Sequence, residues 1–446
     1  MLNKIKPKSD FARNVLTLMT GTTISQAIPI AISPILTRLY SPEDFGIFAL
    51  FMGLVSILAI ISTGRYELAI MLPKKDEDAK HIAALAVGIS LIISMFLFII
   101  VSLFNHEITN LLGNKEISVW LYWIPFTVFV TSLYQSLNFL NIRNKQYKNV
   151  ASSKVTQSTT LSLSSLAIGY SPLNNIGLIS GQILGQISAA SYLLYKNIKK
   201  GDINFKNLKR LKAFALAKRY QEFPKIVTWT GALNTSSVHA PVLILTSIFS
   251  LKVVGFYSFA QRIITLPNAL IAGAIGQVFY QEVSKKKSIE DKAKLFQATF
   301  FKLLKISAPI FALIFVFGDK IFEFVFGTEW IVAGEYAQVM SIWLFLVFLI
   351  SPLSQLFNIL EKQRLFLKLN ILSFSLRIIS LFVGGLLFDD ILITLYLFIA
   401  SGVIAWVIIL IVMLSLLKIN KINILIKIFV YFSAYLIFFY LLNNLL

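Results

Sequence analysis

Apolar runs long enough to cross a bilayer, about 20 residues each, recur along the whole chain. They are separated by short polar or charged stretches. The pattern predicts helices over 14–39, 45–72, 82–104, 118–141, 150–171, 174–195, 224–250, 254–281, 295–318, 335–359, 365–388, 391–417 and 424–446. The widest interruption, KNIKKGDINFKNLKRLKAFALAKRYQEF at 196–223, is densely basic. Its Leu208, Leu211 and Phe214 suit either an amphipathic helix on a membrane surface or a solvated linker.

That interruption divides the chain into halves built on one plan. LTRLYSPEDFGIF (36–48) lines up with LTSIFSLKVVGFY (245–257), pairing Leu36 with Leu245, Thr37 with Thr246, Ser41 with Ser250 and Gly46 with Gly255. Thr20-Gly21 likewise answers Thr230-Gly231. Six spans return a chain to its starting side. Two six-helix lobes are therefore expected to share one orientation, related by a pseudo-two-fold axis along the membrane normal. The expected divisions are an N-terminal lobe (1–200), a basic linker (201–223), a C-terminal lobe (224–417) and an additional helix (418–446). Pro29 and Pro34 in the first span, and Pro241 in the seventh, should bend the leading helix of each lobe. In GLISGQILG (177–185), Gly177, Gly181 and Gly185 share a face suited to close helix packing.

Composition agrees with an all-α polytopic membrane protein. The 446 residues are 57% hydrophobic and 14% charged, and mean hydropathy is +0.77. The net charge of +20 would suit nucleic acid if it were clustered on a soluble face. With the N-terminus placed inside, however, only Arg38, Lys115, Lys252 and Lys320 fall on the outer side. Arg65, Arg262, Lys302, Lys305 and Arg377 lie within spans, and the remaining basic residues lie inside. This is a positive-inside pattern facing anionic headgroups, so no nucleic-acid partner is needed. MLNKIKPKSDFARN reads as a retained cytoplasmic start rather than a cleaved signal. The chain has no cysteine, which excludes disulfides and thiolate metal sites.

Charges inside a span are costly and tend to face a bundle interior or aqueous cavity. Arg377 falls near the middle of its span, roughly 18 Å from the inner end, too deep for snorkelling. Arg262 sits about 12 Å from the outer end of its span, and Arg65 about 10 Å from the inner end of its own. Arg65 and Glu67, two positions apart on a helix, should point to opposite sides, with Arg65 toward a cavity and Glu67 toward a neighbouring helix or headgroups. Lys302 and Lys305 read as interfacial. Gln26, Asn234, Gln261, Gln277 and Gln355 are further candidates to line a polar path. His239 is either a proton carrier for coupling, alongside Glu67, or one half of a helix–helix hydrogen bond. A path rich in arginine and poor in acid suits an anion.

No G-x-x-x-x-G-K-[ST] phosphate loop, H-E-x-x-H or clustered metal ligands occur, so neither ATPase, metal nor other cofactor is expected. Outer loops are too short for a catalytic domain. The chain thus reads as a transporter and not as an enzyme.

LTRLYSPEDFGIFA, GRYELAIMLPKKDEDA, VVGFYSFAQRIITLPNALIAGAIGQVFYQE and FGTEWIVAGEYAQ…SPLSQLF together resemble the bacterial oligosaccharide flippases of polysaccharide biosynthesis. Those O-antigen and capsule translocases belong to the superfamily that also holds multidrug and toxin extrusion transporters. The resemblance spans roughly 10–417 and implies a twelve-helix, two-lobed bundle in the bacterial inner membrane with a cationic central cavity. It implies movement of undecaprenyl-diphosphate-linked oligosaccharide repeat units from the cytoplasmic to the periplasmic leaflet. Membrane lipids and polysaccharide polymerase or assembly proteins are the implied partners. Arg65 and Arg262 fall on charged positions of the family pattern, whereas Arg377 rests on depth alone. The segment 424–446 exceeds a twelve-span core. A cation-coupled drug exporter would need a deep carboxylate; a polymerase or ligase would need a large outer loop. A non-transporting assembly protein would have no use for intramembrane arginines.

Overall fold

The computed structural model describes residues 10–172, 174–200 and 210–445, with side chains described from residue 17 onward except near 173 and the linker. Those residues are all-helical, with no strand among them. Eight helical stretches are long and apolar enough to cross a membrane: Pro42–Ser62, Asp76–Leu111, Leu251–Ser284, Ile289–Phe326, Thr328–Ile359, Gln363–Phe388, Ile391–Leu416 and Lys421–Asn444. The protein is a multi-pass membrane protein. The other five expected spans are helical too but more polar. Several of them carry hydroxyl groups that bond across to a neighbouring helix, as Ser132 does with Ser62 and Thr22 with Lys154.

The chain forms two compact units, 1–247 and 248–446. The first unit contains α1 (Asp10–Leu39), α2 (Pro42–Ser62), a one-turn α3 (Tyr66–Ala69), α4 (Asp76–Leu111), a short α5 (Ile117–Leu121), α6 (Ile124–Arg143), α7 (Tyr147–Gly169), α8 (Gly177–Lys199), α9 (Arg210–Arg219) and α10 (Thr228–Ile248). The sequence plan allots α10 to the second half, whereas the contact boundary falls after it. Helix α7 packs against α1 on one side and α8 on the other. Close approach to α8 depends on the expected glycine stripe: a Cβ at Gly185 would lie 2.8 Å from the Gln157 carbonyl, and one at Gly181 would meet Ser165 Oγ. Tyr40 crosses the same seam and donates to the Ser165 carbonyl at 2.5 Å. Gln157 Nε2 donates to Gln186 Oε1. Polar side chains that would be costly against lipid are thus satisfied inside the helix stack.

Helix α9 settles the two readings of the basic segment in favour of a helix, over its described part. Lys212 bonds Glu77 at 2.9 Å and Asp78 at 2.8 Å at the start of α4. Leu216 is buried with Tyr66, Ile70, Ala79 and Ile82, and Tyr66 donates to the Ala217 carbonyl at 3.0 Å. Leu211 and Phe214, two of the three residues expected to form the apolar face, are 88% and 74% exposed. Packing therefore falls to Leu216 instead, and Leu208 lies outside the described residues. The exposed pair forms a separate apolar edge of the kind that enters a lipid surface.

The second unit contains α11 (Leu251–Ile264), α12 (Gly273–Ser284), α13 (Ile289–Phe326), α14 (Ile331–Ile350), a one-turn α15 (Leu356–Ile359), α16 (Gln363–Val383), α17 (Ile391–Leu416) and α18 (Lys421–Leu445). Its core is aromatic: Phe259 lies 4.9 Å from Phe326 and 4.5 Å from Trp330, with Phe322 beside them. Ring pairs at these spacings add to area burial. The additional helix α18 belongs to this unit, stacking Phe432 on Phe345 at 4.5 Å and bonding Lys320 through Asn443 at 2.7 Å. Lys302 and Lys305 are exposed on α13.

The repeat seen in the sequence has a local structural counterpart. Ser41 caps α2, accepting from Asp44 N at 3.2 Å while Asp44 Oδ2 accepts from Ser41 N at 2.9 Å. The aligned Ser250 caps α11, accepting from Val253 N. Both helices are then interrupted near their far ends, α2 at residues 63–65 and α11 by a π-helical turn at 268–272. The shared elements are the serine cap, the following helix and a break, about six turns on in the first unit and about four to five turns on in the second.

Candidate functional site

Arg65 does not lie on a continuous helix. Helix α2 ends at Ser62, and Gly64 and Arg65 both take left-handed backbone angles, with φ of 55° and 58°. Glycine adopts this conformation freely; an arginine there needs support. Thr63 supplies it, its carbonyl accepting from Tyr66 N and its Oγ1 from Arg65 N, both at 3.2 Å. The reversal swings Arg65 onto the same side as Glu67, and Nη1 bonds Glu67 Oε1 at 3.2 Å. This corrects the expectation that the two side chains diverge: spacing on a helix does not apply where the helix breaks.

The pair is enclosed. Glu67 has no exposed side-chain surface and Arg65 has 23%. Arg65 Nε and Glu67 Oε2 are buried with no hydrogen-bond partner. A Cβ at Gly231 on α10 would come 2.8 Å from both Nε and Nη2 of Arg65, so only glycine lets the guanidinium lie against that helix. Glu67 thus spends its charge on Arg65, and the first unit's path is less acid-poor than composition suggests.

The other first-unit candidates are dispersed. His239 packs against Gly53 of α2, its Nδ1 3.8 Å from where a Cβ would stand, and has no hydrogen-bond partner among the described residues. Of the two roles read for it, the helix–helix hydrogen bond is not made among the described residues. Asn234 is exposed on α10. Gln26 lines a cavity of about 310 Å³ with Thr22, Ser25, Tyr134, Lys154, Gln157, Ser158 and Leu161.

In the second unit, Arg262 projects from the last turn of α11 beside Gln261. Its side chain is exposed and has no ion pair or hydrogen bond among the described residues. One turn further, Thr265 begins the wall of a cavity of about 620 Å³ that also takes in Asn268, Gln277, Tyr280, Ser351 and Gln355. Two breaks open it: the π-helical turn at 268–272 and a 3-10 turn at 351–355. Gly276 against Pro352 holds these elements close, a Cβ there lying 3.2 Å from the proline. Amides, hydroxyls and one phenol line the space, without a charge. Such a set recognises neutral polyhydroxylated groups.

Arg377 is held apart from that cavity, on α16. Its guanidinium lies 4.6 Å from the ring centre of Trp343 on α14 and 4.7 Å from that of Phe398 on α17. Tyr257, fully buried, packs edge-on to Phe398 at 6.3 Å. No carboxylate joins the cluster among the described residues. Arg377 Nε, Trp343 Nε1 and the Tyr257 hydroxyl are buried without partners. Two aromatic faces stabilise the charge by cation–π attraction. Arg377 thus packs between α14 and α17 within the second unit.

Lys154 is the residue that sequence reasoning missed, because it was counted with the basic residues at the inner ends. The signal was present as a polar stripe: Lys154, Gln157 and Ser158 recur at helical spacing on α7. Trp343 and Phe398 carried none, since nothing in a single sequence aligns two distant rings with Arg377.

Comparisons with known proteins place this architecture. The profile of the polysaccharide biosynthesis protein family matches residues 35–335. The succinoglycan biosynthesis transport protein ExoT of Rhizobium meliloti (strain 1021) is 21% identical over 340 residues. That similarity takes in 74% of this chain but only 65% of the relative's own length. Among solved structures, the lipid II flippase MurJ in an inward closed conformation has a TM-score of 0.72 at 13% identity, covering 96% of this chain and 99% of its own. An inward-facing multidrug resistance transporter of the MATE family gives 0.68 at 15% identity, over 90% of this chain and 99% of its own. A transporter of the MOP superfamily from Pyrococcus furiosus Vc1 gives 0.61 at 15% identity, over 91% and 95%. These likenesses establish the fold, and the proteins are transporters rather than enzymes. With its profile covering well over half of the residues, the chain belongs to the polysaccharide biosynthesis protein family.

Proposed function

We propose that this protein flips polyprenyl-diphosphate-linked oligosaccharide repeat units across the bacterial inner membrane, from the cytoplasmic to the periplasmic leaflet, for O-antigen or capsule assembly. The observation that carries the reading is a family built for polysaccharide assembly combined with arginines held on membrane helices without counter-ions. Arg262 is exposed and unpaired; Arg377 is caged by rings rather than by acids. A diphosphate cannot cross hydrocarbon unaided, and guanidinium groups offer permanent, bidentate phosphate contacts. The uncharged cavity of the second unit supplies the amide and hydroxyl chemistry that sugars need. The N-terminus is taken as cytoplasmic from the charge pattern. Rocking of one lobe against the other would give alternating access.

The test uses a host whose surface glycan depends on this chain. Arg262→Ala and Arg377→Ala should leave the protein inserted at normal abundance yet abolish surface glycan, with lipid-linked repeat units accumulating inside. Normal glycan in both variants would remove the anion path. Export of a cationic dye with no effect on glycan would favour the drug-exporter alternative.

A further inference from the structure

The cavity between α1 and α7 has a chemistry of its own. Lys154 sits seven residues into α7, about 10 Å along the helix axis. Its ammonium does not run back to the helix end. It donates to Thr22 Oγ1 on α1 at 3.0 Å, and no carboxylate pairs with it among the described residues. The half-buried charge faces a space of about 310 Å³, at the small end of ligand pockets at about 300–1,000 Å³.

The hydrogen-bond inventory of the wall gives the occupant's character. Ser25 Oγ donates to the Thr22 carbonyl at 2.8 Å, and Ser158 Oγ to the Lys154 and Val155 carbonyls at 3.1 Å. Both hydroxyls therefore offer the cavity only acceptor lone pairs. Gln157 Nε2 gives one proton to Gln186 Oε1, leaving its second N–H and its carbonyl oxygen uncommitted. The unspent donors are two ammonium protons of Lys154, the Thr22 hydroxyl proton, the Gln26 amide and the second amide proton of Gln157. One positive charge with several donors, ringed by acceptors, fits a negatively charged group that itself bears hydroxyls. Gly21 keeps the helices close one turn away, since a Cβ there would meet Ala151.

We propose that this cavity is an anion site of the first unit, with Lys154 as its charge and Thr22 and Gln26 as its donors. It takes a carboxylate or phosphate flanked by hydroxyls, as on an acidic sugar, or the same chemistry supplied by a free inorganic anion. The acidic-sugar source rests on the flippase reading; the site itself does not.

Thermal unfolding of the purified full-length protein in detergent tests this at constant ionic strength, with glucuronate, inorganic phosphate, chloride or glucose as probe. At least one anion should raise the midpoint saturably, and glucose should not. Lys154→Gln should weaken the response at least tenfold, while Lys154→Arg retains it. Glucuronate acting where phosphate and chloride do not would identify a sugar acid; the reverse would identify a free anion. Gln26→Ala, weakening the response severalfold, serves if Lys154→Gln does not fold. The site is overturned if no anion stabilises the wild type, or if the neutral variants respond as the wild type does. Because the assay requires no transport, loss of the flippase reading would leave its result intact.

Discussion

Arg65 can be asked directly whether it serves the fold or the cargo, through a double-mutant cycle with Glu67. Arg65→Met leaves Glu67 with no exposed surface and neither oxygen paired. Removing one partner of a buried pair costs about 3–5 kcal/mol. Glu67→Gln keeps the shape but reduces a hydrogen bond between charges to one with a neutral acceptor, and charged hydrogen bonds contribute about 1.5–3 kcal/mol. The double variant removes both charges and should recover most of the loss, giving a coupling of at least about 2 kcal/mol, within the range for directly contacting residues. Unfolding by SDS in mixed micelles, followed by tryptophan fluorescence, measures each corner. Additivity within about 0.5 kcal/mol would refute the pairing. The cycle also has a functional arm. If the stable double variant still restores surface glycan, Arg65 holds the turn and is not a phosphate contact. If glycan is lost despite recovered stability, Arg65 serves the cargo.

Two further outcomes follow from particular contacts. Arg377→Met replaces an unpaired charge between Trp343 and Phe398 with an apolar chain of similar reach. It should raise stability by about 1–3 kcal/mol, as apolar replacement of buried ionic groups does, while abolishing transport; a loss of stability would show that the ring contacts outweigh desolvation. Asp78 foremost, then Glu77, holds the Lys212 ammonium above its ordinary range. A raised lysine keeps its contribution below the free value and loses it only as pH climbs through the raised one. Amide protection across α9 should therefore not fall through lysine deprotonation until pH passes about 10. Lys212→Glu should speed exchange there at least tenfold at neutral pH, and unchanged exchange would place the anchor elsewhere.

Every long helix was legible because lipid-spanning runs are set by length and apolarity, which one sequence displays. The pairing of Ser41 with Ser250 was legible as a repeat, but their role was not: the structure shows that both cap the helix that follows. Polar spans such as α7 were found despite their serines, which bond carbonyls of their own helix, as Ser153 and Ser158 do, or of a neighbouring one, as Ser165 does. What sequence could not supply was the path of the backbone at a break. A glycine followed by an arginine, GRYELAI, gives no sign that both residues take left-handed angles; that depends on Thr63 folding back to hold them. Helical geometry assigned Arg65 and Glu67 to opposite faces, and a two-residue reversal placed them in contact. The same limit applies to Arg377, whose depth followed from counting residues but whose two ring partners lie on helices 34 positions before and 21 positions after it. Depth along a span is a local quantity; the companion of a charge at that depth is set by tertiary packing. An intramembrane arginine in a lone sequence thus identifies where charge is kept, and only the fold separates one neutralised by its own turn, as Arg65 is, from one left without a counter-ion, as Arg262 and Arg377 are.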